Sequence, residues 1–263
     1  DDWIRMPPEI PAPLRWLALD GPVNFRDLGG YRTTDGREVR HGLVFRADSL
    51  HTMTDEDVRR VVDEHGVGVV VDLRTAAEVD LIGVGPIRDA VGNWHNVSIF
   101  DETQRARDAD SAPTTMADEY VAMLGRTSSH FVRVLDIMAT AADPAVFHCA
   151  AGKDRTGLIA ALLLHVLGVD DETIAADYAL TQHVMPTLRQ RFIDRVTNPR
   201  FASLYGDRSE WEPRMNRAME SRPDTMLSVL NALSDRFGSA GEWLLESGLA
   251  GERIESLRAR LLH

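Results

Sequence analysis

Ala145-Val146-Phe147-His148-Cys149-Ala150-Ala151-Gly152-Lys153-Asp154-Arg155-Thr156-Gly157 runs directly into Leu158-Ile159-Ala160-Ala161-Leu162-Leu163-Leu164-His165-Val166-Leu167. The three apolar residues that follow Pro144 read as a short buried strand. The strongly apolar run from Thr156 to Leu167 predicts a buried helix, stopped by Gly168. Small and charged residues lie between. Strand, tight loop and helix in this order form the repeating unit of an α/β fold, with the loop delivered to a helix N-terminus.

The same alternation extends outward. Val67-Gly68-Val69-Val70-Val71-Asp72-Leu73 is a β-branched run, as expected of a strand covered on both faces. Thr75-Ala76-Ala77-Glu78 has capping-box spacing, so a helix follows. Thr54 to His65 reads as a helix capped by Thr54, with Val58, Val61 and Val62 on one side and Gly66 ending it. Leu43 to Arg46 predicts a strand, Asp35-Gly36 a hairpin turn between short runs, and Val97 to Phe100 the next strand. Residues 101–113 are polar without a period and read as a loop. Helices are expected over Thr115–Leu124 and Ser129–Ala142, and Asp170 or Asp171 caps another.

These segments predict an α/β fold with a central, mostly parallel sheet flanked by helices. Residues 1–20, with Pro7, Pro8, Pro11 and Pro13, read as an extended arm. Residues 21–263 form one domain, whose portion from about 171 to 263 is helical and punctuated by Pro186, Pro199, Pro213 and Pro223. Phe201, Tyr205 and Trp211 fall in an irregular stretch there. Ordinary packing is their plain reading, and a helical lid over the site is the alternative.

The chain has 263 residues, 29 Lys+Arg, 41 Asp+Glu and one cysteine. A formal charge of -12 speaks against non-specific nucleic-acid binding, which needs Lys and Arg against phosphate. One cysteine excludes an internal disulfide, Cys-rich zinc sites and iron–sulfur clusters. No pair among the other histidines has metal-ligand spacing, so neither metal nor other cofactor is expected. No apolar run reaches the ~18–20 residues of a membrane span, and the start lacks a signal-peptide pattern. A cytoplasmic protein, or one secreted without a recognisable signal, is expected.

The loop has chemistry of its own. Unpaired N–H groups and the positive end of the helix dipole favour an anion, and Ala150, Ala151 and Gly152 are small enough to let an oxyanion approach the backbone. Arg155, six positions after Cys149, can fork two bonds to phosphate oxygens, and Lys153 adds a cation. The same field favours the Cys149 thiolate, placed beneath the phosphate for in-line attack. Thr156 can hydrogen-bond the sulfur and help it leave when water cleaves a phosphocysteine. The departing alcohol needs a general acid. A lone buried cysteine is usually a small hydrophobe. Six flanking positions that fit one mechanism outweigh that reading here.

The segment resembles the H-C-x5-R-[ST] loop of the cysteine-dependent protein tyrosine phosphatases. In its fuller form, His148 to Gly157, it is similar to a bacterial branch of tyrosine/serine phosphatases. That branch includes secreted mycobacterial enzymes that also act on phosphoinositides. Asn24-Phe25-Arg26-Asp27-Leu28-Gly29-Gly30, Phe45-Arg46-Ala47, Asp72-Leu73-Arg74-Thr75 and Arg222-Pro223-Asp224-Thr225-Met226 match further motifs of the branch in order. The resemblance implies a phosphatase fold from Asn24 onward. It assigns the general acid to Asp154; the alternative, by analogy with dual-specificity phosphatases, is Asp101. Arg26 and Arg74 stand evenly between substrate contact and ion pairs at the sheet ends, with Asp27 and Asp72 as their expected partners.

The expected activity is hydrolysis of phosphate monoesters, phosphotyrosine in proteins first and phosphoserine or phosphothreonine beside it. Cys149 is the nucleophile; Ala150, Ala151, Gly152, Lys153, Arg155 and Thr156 hold the phosphoryl group, where phosphate or vanadate should also sit. A phosphoinositide or other small phosphate ester is the alternative substrate. A silent phosphate-binding module, a sulfurtransferase and an arsenate reductase explain less of the pattern.

Overall fold

The structure, a computed structural model, describes residues 15–100, 115–198, 212 and 219–263. Five strands form one sheet: β1 (Arg26–Asp27), β2 (Val44–Ala47), β3 (Val69–Asp72), β4 (Asn93–Asn96) and β5 (Ala145–His148). Their order is β1-β2-β5-β3-β4, with β1 antiparallel to β2 and the other neighbours parallel. The central strands are apolar throughout most of their length because each is covered on both faces. Val69, Val71, Ala145 and Phe147 face one core, and Val70 and Val146 face the other, as a two-residue period requires.

The helices are α1 (Asp55–Arg59), α2 (Ala76–Ile82), α3 (Ile87–Ala90), α4 (Met116–Arg126), α5 (Ser128–Thr140), α6 (Asp154–Leu167), α7 (Asp171–Ala179), α8 (Met185–Thr197), α9 (Pro223–Phe237), α10 (Ala240–Glu246) and α11 (Gly251–Leu261). Capping boxes at Thr54, Thr75 and Thr115 start α1, α2 and α4, and the Asp170 carboxylate caps α7. α6 is buried along most of its surface, since α5, α7, α10 and α11 all pack on it. α9 closes that layer against α4 and α7. α1 continues through one π turn, Arg60–Glu64, so the expected single helix changes its winding midway.

Two expectations need correction. The strand after α3 is Asn93–Asn96, not Val97–Phe100. The apolar Val97 and Ile99 are buried beyond the strand end, tied by their N–H groups to the carbonyls of Asp72 and Leu73 at 2.9 and 3.2 Å. α6 begins at Asp154 rather than Thr156, so part of the charged loop is already its first turn. Residues 1–14 of the expected arm, the loop 101–113 and Phe201, Tyr205 and Trp211 lie outside the described residues. Arg15 to Leu17 run alongside β1, with Leu17 N–H to Phe25 O at 3.1 Å.

Strand register sets the position of the site. Ala47, His148, Asp72 and Asn96 lie side by side across β2, β5, β3 and β4. The parallel strands therefore end together, and the segments after them open at one edge, where ligands bind in open α/β sheets.

Candidate active site

Residues 149–153 turn from β5 into α6. Their carbonyls are anchored from the sheet side: Ala150 O accepts from Ser49 N–H at 3.2 Å, and Ala151 O and Gly152 O each accept from Asn24 Nδ2 at 3.1 Å. Arg46 Nη2 also donates to Gly152 O, at 2.8 Å. In a trans peptide the N–H opposes the C=O, so these anchors turn the N–H groups of Ala151, Gly152 and Lys153 the other way. Gly152 has φ +67°, and a Cβ there would lie 2.5 Å from Ala47 O. Only glycine fits that turn.

Cys149 lies at the base of the turn and is 2 % exposed. The Thr156 hydroxyl, in the first turn of α6, is fully buried and has no hydrogen-bond partner among the described residues, an uncommon state for a buried donor. His148 sits behind the loop, with Nδ1 3.3 Å from Cys149 O and Nε2 3.6 Å from Asp72 Oδ2. Burial pushes its imidazole toward the neutral form.

Arg155 is fixed by a residue that no local pattern pairs with it. Its Nη1 and Nη2 donate to Glu78 Oε2 and Oε1 at 2.6 and 2.9 Å, and Nη1 also reaches Leu73 O at 3.4 Å. A guanidinium has five N–H donors. Among the described residues Nε–H and the second Nη2–H take no partner, a parallel pair along one edge. Burial works against the charged forms, but the mutual pairing prevails and holds the Glu78 carboxyl below its ordinary range.

Lys153 is 1 % exposed. Its Nζ lies 3.1 Å from Asp154 Oδ1 and 3.1 Å from Glu220 O. Asp154, at the start of α6, also accepts from the Tyr120 hydroxyl, which stands 2.8 Å from that of Tyr178. Tyr120, with Tyr178 behind it, thus reaches Asp154 without a sequence signal. Burial and the facing Asp154 carboxylate raise the Tyr120 phenol well above its ordinary value. Asp101 lies outside the described residues.

The upstream motifs support the loop from behind. Arg74 pairs with Asp72, its expected partner, through Nε and Nη2, and it also reaches Ser49 Oγ at 3.1 Å. Arg26 does not pair with Asp27. Consecutive strand residues point to opposite faces. Arg26 turns to Asp177 on α7, while Asp27 accepts from the N–H groups of Gly29 and Gly42. Among the described residues no group of three or more His, Cys, Asp or Glu could hold a metal ion, and no helix is long and apolar enough to cross a membrane.

Comparison with known proteins adds an independent observation. The model of the tyrosine phosphatase family matches residues 17–263. A tyrosine-protein phosphatase of Nostoc commune is 31% identical over 223 residues, covering 82% of this chain and 73% of that protein. The triple specificity protein phosphatase PtpB of Mycobacterium tuberculosis is 26% identical over 279 residues, covering 93% of this chain and 98% of that protein.

Proposed function

The chain belongs to the tyrosine phosphatase family, and from that premise we propose that it hydrolyses phosphotyrosine in proteins through a phosphocysteine formed on Cys149. It is a phosphoric monoester hydrolase, and its substrates carry a phosphoryl group. One observation supports the finer reading: sheet-side anchors turn the loop N–H groups the opposite way, and among the described residues Glu78 leaves one two-donor edge of Arg155 open.

In the first half-reaction the phosphate sits on the loop N–H groups and the open edge of Arg155. The Cys149 thiolate attacks phosphorus in line, and the ester oxygen leaves with a proton from Asp154. In the second, the Asp154 carboxylate takes a proton from water as water attacks the phosphocysteine. The Thr156 hydroxyl donates to the departing sulfur. Lys153 supports a protein substrate over a phosphoinositide. Its ammonium is buried and already engaged by Asp154 and the Glu220 carbonyl, so it is not held out toward further ring phosphates.

Cys149→Ser tests the reading. It is expected to lose turnover of an aryl phosphate entirely while still binding phosphotyrosyl peptide. Full activity would rule out the phosphocysteine. Tight binding of phosphoinositide vesicles but not phosphopeptides by the same variant would move the substrate class to the lipid.

A further inference from the structure

The Arg26 and Arg46 motifs end in a feature that the mechanism above does not use. The two residues are register partners across β1 and β2, so their side chains share a face. Both are fully buried, and both converge on Asp177: Arg26 Nε lies 3.2 Å from Oδ1, and Arg46 Nη1 pairs with Oδ2. Tyr31 Oη also donates to Oδ1, at 3.0 Å. Among the described residues Asp177 is the carboxylate these guanidiniums share, so two buried cations face one buried anion.

An excess buried charge is costly, and a hydrophobic replacement is often cheaper than a buried ion pair. Burial, reinforced by Arg26, pushes the Arg46 guanidinium down to about 10. A charge held at that cost calls for a second anion. Arg46 points to where it would lie. Its Nη2 holds Gly152 O at 2.8 Å, and a Cβ on Gly157 would stand 3.7 Å from the same atom. The guanidinium is therefore inserted between the loop and the first turn of α6, and its buried Nε has no partner among the described residues.

We propose that Arg26, Arg46 and Asp177 form a cationic base beneath the loop, whose missing counter-ion is the phosphoryl dianion bound above it. The proposal rests on reading residues 149–156 as the phosphate site. Arg46 is a positioning residue: it acts through the Gly152 carbonyl and through its field, without touching substrate. Its bond polarises the peptide that carries the Lys153 N–H and makes that group a better donor to the anion.

Vanadate titration calorimetry on the intact protein, with thermal melts alongside, tests this without turnover. Arg46→Gln is expected to weaken vanadate binding about tenfold, the order expected of one buried charge acting on an anion it does not touch, and Arg46→Lys to regain most of it. Tyr31→Phe removes a bond to Asp177 but no charge, so its affinity should stay that of the wild type. Asp177→Asn raises the charge excess and is expected to tighten binding while lowering the melting temperature. A purely structural role forbids that combination. If binding by these variants instead tracks their melting temperatures, or if Arg46→Gln binds like the wild type, the cationic base is wrong and the phosphate site stands. No vanadate binding by the wild type would remove both.

Discussion

Arg155 and Asp154 are adjacent in the chain but are held by different helices. Glu78 of α2 orients the guanidinium, and Tyr120 of α4 orients the carboxylate. Asp154→Asn separates the proton from the phosphoryl contacts. Its kcat should fall by roughly 10²–10³ on alkyl phosphates and much less on an aryl phosphate whose phenol leaves without help. Equal losses on both substrates would show that Asp154 only stabilises the loop. Cys149, Arg155 and Thr156 could be picked out as candidates because they fall in one short segment tied to one chemistry. The contacts of Glu78, Tyr120 and Asp177 with that segment and its supports were not legible. Each meets its partner only through packing of α2, α4 or α7, and nothing in a single sequence pairs such distant positions. The same blindness gave Arg26 the wrong carboxylate.

Among the elements, α2 bears most directly on the site although it is a short helix. Thr75 and Glu78 close its capping box, with Glu78 N–H to Thr75 Oγ1 at 3.1 Å and Thr75 N–H to Glu78 Oε2 at 2.8 Å. The carboxylate that caps the helix is the one that grips Arg155. Thr75→Ala should therefore cost about 1 kcal/mol of stability, the usual worth of a cap, and also raise KM for an aryl phosphate. A stability loss with unchanged KM would separate the two roles. Strands and caps were read well where burial is two-sided or the box is complete. β4 was misplaced because Asn93-Trp94-His95-Asn96 is a mostly polar edge strand, exposed at Asn93 and half-buried at the other three residues. The apolar alternation that marks a strand appears one step later, in residues that pack beyond the sheet edge.

Across the whole molecule, carboxylates and cations are buried together. The chain carries -12, yet the base of the site is cationic, and several buried groups titrate away from their ordinary values. His51 is pushed down to about 4 by burial and by Arg195, Arg74 and Arg191; His148 is lowered by burial. Both favour the neutral form in the fold while the unfolded chain protonates near 6.5, so their contribution holds above that pH and is lost as pH falls below it, for His51 toward about 4. Asp48, raised to about 6 by burial, acts oppositely: its contribution is present below about 4 and fades as pH rises through 6. With two imidazoles against one carboxylate, the melting temperature should decline from pH 7 to 5, and more steeply in Asp48→Asn. Thermal melts across that range decide it, and a flat or rising curve for the wild type would refute the balance. The strand order has a further consequence, for how the chain is born. β5 is last of the five in sequence yet lies between β2 and β3. Until residues 145–148 emerge, the earlier strands can form only two separate halves, β1 with β2 and β3 with β4, each with a raw edge exposed to other nascent chains. The strand that fills this slot leads straight into Cys149. Completing the sheet and assembling the Cys149 loop are therefore coupled, and a half-made molecule carries no assembled loop.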